Sequence, residues 1–429
     1  MSTPLPPRLV SLDAYRGFIM LVMASSGLGL ARISQQLEIS ALVASTVGLI
    51  SDNALSAAAA LFPSRTDRLP FSPLWRFLGF HFEHVPWEGC AFWDLIQPSF
   101  MFMVGVALPY SFASRQARGD SYGRMLGHAV WRALVLILLA VFLSSPGPLA
   151  PGKAPVGPTT NWVFTNVLAQ IGLGYVFVFL LVGRGLGVQL LALFAILAGS
   201  TLLFALWPVV PSDYDWKAVG VPEGWPLYSG WFAHWNKNAN AAHFFDLWFL
   251  NLFPHQVPFR YNAGGYQTLN FIPSMATMLL GLIAGERLRG SGSPASKLLW
   301  LVMAALLCLG VGWLMGQWVC PIVKRIWTPS WAVYSAGWTL AMLAAFYAII
   351  DVVGWRSWSF PLVVVGMNSI AMYLLSQQLR PWVRRNLHVH FGREWFVGDY
   401  GPLIETSAIL FVLWLICLWL YRRGIFLRI

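Results

Sequence analysis

Charge is what this 429-residue chain has least of. Asp, Glu, Lys and Arg make up 10% of it, against about 25% in soluble domains, while 57% is hydrophobic. So little charge cannot clothe a water-facing surface, which excludes the two or three soluble domains that the length would otherwise suggest. Acidic residues are scarcer than basic ones, 17 against 28, leaving a net charge of +11. The basic residues lie between apolar runs, where they set topology and meet anionic lipid, so no nucleic-acid partner is expected. Cysteine is rare too. Cys90, Cys308, Cys320 and Cys417 include no C-x-x-C pair, and no H-E-x-x-H occurs, so neither a metal site nor a redox motif is expected. Cys308 and Cys417 sit in apolar runs as packing residues, and the positions of Cys90 and Cys320 at helix edges leave a bridge between them open. A cleavable leader is also missing from the reading, because Asp13 and Arg16 fall where its apolar stretch should be. No internal repeat is visible, which weighs against a secondary transporter.

What the chain does have is a series of apolar runs, each near the roughly 20 residues that cross a bilayer as helix. They fall at about 14–33, 91–113, 126–145, 163–183, 186–207, 267–286, 298–318, 329–353, 359–379 and 405–421. The expectation is an all-α integral membrane protein, a single domain over 1–429 with about ten transmembrane helices. The Ala- and Ser-rich stretch 41–62, interrupted by Asp52 and Asn53, reads as an interfacial or re-entrant helix. Aromatic residues make up 15% of the chain, 23 of them Trp, as expected at membrane interfaces. Arg115, Arg118 and Arg124 fill one short turn, Arg184 another, Arg287, Arg289 and Lys297 a third, and Arg422, Arg423 and Arg428 the C-terminal end. The positive-inside rule puts all of them, with both termini, on the cytoplasmic side. The long connections 34–90, 146–162, 208–266 and 380–404 then lie outside, rich in Trp, Pro, Asn and His, and suggest a site opening there.

Ionisable residues within apolar runs are costly and point to function. Asp13 and Arg16 share one helix face and can pair or meet an anionic ligand. Asp94 opens the second run and must face the interior, with Arg132 of the third run a candidate partner. Just before it, His81-Phe82-Glu83-His84-Val85-Pro86-Trp87-Glu88-Gly89 places two His and two Glu beside a Trp. Histidine is the usual base near neutral pH, but the residues alone do not separate His84 from His81 or His243. Asn270, Pro273 and Ser274 open the sixth run. Lys324, Arg325, Trp327, Thr328 and Ser330 form a turn before the eighth. Gly366 and Asn368 interrupt the ninth, where an intramembrane Asn either bonds a neighbouring helix or lines a site.

Together these segments resemble the heparan-alpha-glucosaminide N-acetyltransferases and their bacterial homologues, within the wider transmembrane acyltransferase group. The resemblance is carried by Arg8-Leu9-Val10-Ser11-Leu12-Asp13-Ala14-Tyr15-Arg16-Gly17, by His84-Val85-Pro86-Trp87-Glu88-Gly89 followed by Asp94-Leu95 and Pro98 to Gly105, and by Asn166-Val167-Leu168-Ala169-Gln170-Ile171-Gly172. It continues through Leu269 to Ser274, Gly281 to Gly285, Pro321 to Ser330, Gly366 to Ile370 and Tyr421 to Phe426.

The resemblance implies transfer of an acetyl group from cytoplasmic acetyl-CoA to an amino sugar or glycan across the membrane, with His84 as the active-site residue. Trp87, Glu88, Asp94, Asn270, Ser274, Lys324, Trp327 and Asn368 are the candidates around the acceptor, Asn270, Asn368 and Lys324 among them as oxyanion donors. Asp13, Arg16, Arg115 and Arg287 are the candidates for the CoA end. A homodimer is implied in the same way. Ala24-Ser25-Ser26-Gly27 and Ala169-Gln170 depart from the animal enzymes' pattern, and the connection before His84 is longer. These departures bear on the acceptor, and a bacterial inner membrane with a periplasmic glycan, peptidoglycan fragment or free amino sugar is the expectation. The competing readings are O-acyl transfer to a glycan and a sugar transporter or permease.

Overall fold

In the computed structural model, residues 9–38, 73–145, 160–254 and 257–427 are described; the expected interfacial helix at 41–62 lies outside them. No strand is formed among the described residues, only one isolated antiparallel bridge between Glu88 and Val323. Among the described residues seven helices are long and apolar enough to cross a membrane, and nine if two bent pairs each count as one span.

The order is α1 (Val10–Ala24), α2 (Ser26–Glu38), α3 (Pro73–His81), α4 (Ile96–Ala117), α5 (Tyr122–Ser144), α6 (Val167–Phe179), α7 (Leu186–Ala205), α8 (Ala241–Phe249) and α9 (Phe271–Arg289). There follow α10 (Pro294–Trp318), α11 (Pro329–Tyr347), α12 (Phe360–Met367), α13 (Ser369–Gln378), α14 (Arg380–Phe391) and α15 (Gly401–Arg422). The difference from the expected ten lies at 163–183, where α6 has only 13 residues. Its start is delayed because Asn166 takes an extended conformation and caps the helix by accepting from the Ala169 N–H. The same chemistry starts α5 at Ser121, α10 at Ser293-Pro294 and α11 at Thr328-Pro329, each hydroxyl accepting a first-turn N–H.

Two expected spans are broken. The first bends by 45° between α1 and α2, where Gly27 and Leu28 take φ of 68° and 53°. The ninth bends by 70° between α12 and α13 at Asn368. Centre and rim of the bundle differ sharply in burial. In α9, 72% of the apolar window is buried, and in α4 61%, but in α7 only 17% and in α10 22%. The rim helices present Trp131, Phe142, Phe194, Leu307 and Phe411 outward, the apolar surface that lipid requires.

Glycine sets the closeness of the two central contacts. A Cβ on Gly105 of α4 would run into the Met278 carbonyl of α9, and one on Gly281 into that of Phe102. Gly17 of α1 and Gly366 of α12 meet in the same reciprocal way, at the carbonyls of Leu362 and Asp13. Small residues let backbones approach where lipid supplies no hydrophobic drive for association. The helices α4, α9 and α11 all begin at one end of the bundle, where the segments before them bond to one another. The chain enters α1 from the other end, where the Ser11 N–H donates to Asp351 beyond the end of α11.

Candidate functional site

Three segments meet where α4, α9 and α11 begin. The first is 84–95, leading into α4 through a 3-10 turn at Phe92–Leu95. The second is the turn Thr268–Asn270 before α9. The third is 319–328, before α11. The first and third are joined at the Glu88–Val323 bridge, where the Gly89 N–H donates to the Ile322 carbonyl at 3.0 Å. Gly89 sits there at φ 115°, a backbone state that side chains disfavour.

Asp94 is the centre of this meeting, with its side chain 1% exposed. Its Oδ2 accepts the Val85 N–H at 3.2 Å and the Ala91 N–H at 3.1 Å. Its Oδ1 lies 2.7 Å from Nδ1 of His84 and accepts from Nζ of Lys324 at 3.2 Å. Four donors on two oxygens is the setting of an ionised carboxylate. An ionised carboxylate at 2.7 Å favours the tautomer with the proton on Nδ1, which leaves the lone pair on Nε2 of a ring that is 38% exposed; in the other tautomer Nδ1 accepts from Lys324 instead. A buried acid that fixes the tautomer of a partly exposed imidazole is the orienter-and-base arrangement of acyl-transfer sites.

Lys324 is 5% exposed, and its Nζ is 3.0 Å from Nδ1 of His84. Burial pushes its ammonium down to about 8 against the pull of Asp94. The turn that presents it is tightly braced. Thr328 Oγ1 donates to the Pro321 carbonyl and accepts from the Val323 and Trp331 N–H groups. Ser330 Oγ donates to the same carbonyl, and Trp327 is held at φ 45° with its indole N–H donating to Thr277. A bulky residue at positive φ is a strained conformation that its surroundings must impose.

Around this trio the sequence candidates separate. Glu88 accepts the Tyr228 hydroxyl at 2.7 Å. Trp87 is buried and packs edge-on against Trp225, their centroids 6.1 Å apart. Asn270 donates to the Arg325 carbonyl at 2.8 Å, so its amide is committed to bracing the Lys324 turn. Ser274 donates only to Phe271 of its own helix. Asn368 does not join the group. Its amide donates to the Ile425 carbonyl and its Oδ1 accepts the Leu427 N–H, so it ties the broken ninth span to the terminal segment. These bonds give it a packing role apart from the trio. Arg132 is likewise not the partner of Asp94; it donates to the Tyr175 hydroxyl at 3.2 Å and lies over that ring. Asp13 and Arg16 pair at 4.0 Å, Arg115 bonds Asp120, and Arg287 bonds Ser296. Arg115 and Arg287 stand at the far ends of α4 and α9, whose near ends build the His84 site, and Asp13 and Arg16 stand in the first turns of α1, which the chain enters from that far end.

Cys90 and Cys320 are free thiols. Burial, and then the charge of Asp94, pushes the Cys90 thiol up to about 12, so it is no nucleophile near neutral pH. His243 is fully buried, and its ring nitrogens have no partner among the described residues; burial pushes it down to about 4 and keeps it neutral. No group of His, Cys, Asp or Glu suited to a metal occurs among the described residues.

Lys237, Trp225, Tyr228 and Asp246 were not singled out by sequence reasoning. Lys237 is 5% exposed, lies 4.5 Å above the Trp225 ring, and is lowered by burial and then by Arg325. Asp246 accepts the Thr268 N–H at 2.9 Å, and burial raises it to about 7 against the pull of Thr268. The run Asn236-Lys237-Asn238-Ala239-Asn240, polar yet buried throughout, was the available signal.

The chain is distantly related to two curated proteins of the family that its motifs resemble. It is 24% identical to the heparan-alpha-glucosaminide N-acetyltransferase of Homo sapiens over 398 residues, covering 81% of this chain and 56% of that protein. It is 25% identical to the Mus musculus protein of the same name over the same shares. The chain thus spans little more than half the length of these relatives. No protein-family model matches it.

Proposed function

We propose that this chain is a transmembrane acetyltransferase that moves the acetyl group of acetyl-CoA to the amine of an amino sugar or glycan. The observation that carries this reading is the buried Asp94 bonded to Nδ1 of a half-exposed His84, with the Lys324 ammonium alongside. His84 Nε2 accepts a proton from the acceptor amine as its nitrogen attacks the thioester carbonyl. The new N–C bond forms, the C–S bond breaks, and the proton on Nε2 passes to the departing CoA sulfur. Lys324 retains N–H groups beyond the one given to Asp94, and it is the candidate donor to the oxyanion that develops on the carbonyl. Asp94 holds the ring and its tautomer through the cycle.

His84 lies at one end of the bundle, and the basic residues Arg16, Arg115 and Arg287 lie at the other. This separation supports donor entry from the cytoplasmic side and acceptor binding on the periplasmic side. The names of the two relatives support an amine rather than a hydroxyl as acceptor.

The test uses purified protein, labelled acetyl-CoA and a panel of amino sugars. Label should reach a sugar with wild type, and His84→Ala and Asp94→Asn should each lose about 10²–10⁴-fold in kcat, the range for a base and its orienter. Sugar uptake into liposomes without any transfer of label would overturn the reading in favour of a permease.

A further inference from the structure

A second polar site lies beside the His84 segment and away from the trio. It is a cavity of about 620 Å³ between the kinked α1–α2 connection and the helices α13, α14 and α15. Arg32, Gln35, Glu83, Arg380, Arg384 and Glu405 line it. The carboxylates are already engaged. Glu405, 8% exposed, accepts from Arg384 Nε at 2.8 Å and lies 2.6 Å from His388 Nε2. Glu83 accepts the Gln35 amide at 3.2 Å. Two guanidinium groups are left over. Among the described residues Arg380 donates only to neutral atoms, the Ala24 carbonyl and the Ser26 hydroxyl, and Glu405, which attracts it, is bonded to Arg384 and His388. Arg32, from the facing wall, makes no ion pair among the described residues. Burial, and then the nearby charge of Arg32, lowers Arg380. Like charges brought together around a polar cavity are stabilised by an anion between them.

The fold also indicates how such an anion arrives. The cavity lies against α14, where Trp382 and Val389 are exposed on one face and Arg380 and Arg384 stand on the other, and Phe391, Trp395 and Val397 are exposed at and beyond its last turn. Exposed aromatic and apolar residues beside arginines on one short helix suit a membrane surface. Glu83 in the cavity wall immediately precedes His84. The cavity therefore borders the segment that carries the proposed base.

We propose that this cavity binds a phosphate- or sulfate-type oxyanion on the acceptor, so that the substrate is an anionic amino sugar or glycolipid headgroup presented at the membrane surface. This rests on the acetyltransferase reading above. Arg32 and Arg380 grip the oxyanion, and the sugar reaches from there toward His84.

The experiment measures kcat/KM for acetyl transfer to glucosamine and to glucosamine 6-phosphate, in neutral-lipid liposomes, for wild type, Arg32→Gln, Arg380→Gln and Arg380→Lys. Wild type should favour the phosphorylated sugar by about 10-fold or more, the scale of one charge-assisted contact. Arg32→Gln and Arg380→Gln should each erase most of that ratio through KM, and Arg380→Lys should retain part of it. Arg32 makes no hydrogen bond or ion pair among the described residues, so its variant should keep the fold, which its unfolding temperature checks. Equal rates on both sugars in wild type, or an unchanged ratio in the variants, would overturn the assignment. So would a rise in KM for acetyl-CoA alone, which would give the cavity to the donor. A further arm adds phosphatidylglycerol to the liposomes: loss of discrimination that depends on Arg32 would assign the oxyanion to lipid rather than acceptor. If no sugar is acetylated, the acetyltransferase reading has failed. Calorimetric binding of glucosamine 6-phosphate to wild type against Arg32→Gln then decides the cavity by itself: Arg32-dependent binding supports it, and its absence overturns it.

Discussion

Asp94 and Lys324 are each costly alone and stable together. A buried ion pair stripped of one member costs about 3–5 kcal/mol, because the remaining charge is uncompensated. Asp94→Ala should therefore lower thermal stability as well as activity, whereas His84→Ala, at a half-exposed ring, should lower activity with little loss of stability. Lys324 also carries a pH signature. Its folded-state value of about 8 lies below the ordinary 10.5 of an unfolded lysine. Between those values the unfolded chain binds more protons, so stability rises with pH across that window, and below about 8 the cost of burying the ammonium is present in full. Unfolding temperature in detergent should climb from pH 8 toward 10 in wild type and climb less in Lys324→Met. A flat difference between the two would mean that Lys324 is solvated.

Helices here are held by close backbone approach more than by hydrophobic drive, so the sensitive positions are small residues. At Gly281 a side chain would collide with the backbone of Phe102, which cannot rotate away. Gly281→Leu should destabilise by at least the 1–3 kcal/mol typical of overpacking and lower the yield of monodisperse protein. Gly310, on α10, has nothing within 4 Å of where its Cβ would stand. Gly310→Ala should be tolerated or add about 0.5–1 kcal/mol, the ordinary helix-propensity difference. Both effects are read from thermal unfolding in the same detergent.

For the molecule as a whole, the main consequence is a division between two ends. Glu88 is exposed beside the site, and Arg115 lies near the end of α4, a helix of 22 residues. At 1.5 Å per residue such a helix spans about 33 Å, the thickness of a bilayer core. A cysteine placed at Glu88 should react with an impermeant reagent from the outside of intact cells, and one at Arg115 only after permeabilisation. The reverse pattern would invert the proposed topology and with it the sides for donor and acceptor.

Apolar runs, caps and turns are local properties, and they were legible without coordinates. Seven runs appear as continuous helices close to their expected ends; the run expected from 298 begins at Pro294, where Ser293 caps it, and the one expected from 329 begins there. The two breaks were signalled only weakly, because Ser26 to Gly29 and Gly366 to Ser369 carry residues that permit a bend without dictating one. The identity of Asp94's partner was not local. Arg132 stood closer in sequence, yet Lys324, 230 residues away, holds the carboxylate, because the starts of α4 and α11 converge. Asn368 had the composition of a site residue, and only the path of the terminal segment turned it into an interhelical tie. The amino-acid sequence by itself determined that this chain is a helical membrane protein, since transfer of apolar runs from water is a sum over residues. Which polar groups meet was decided by the tertiary structure, since a hydrogen bond or ion pair depends on positions that distant segments take only when packed together.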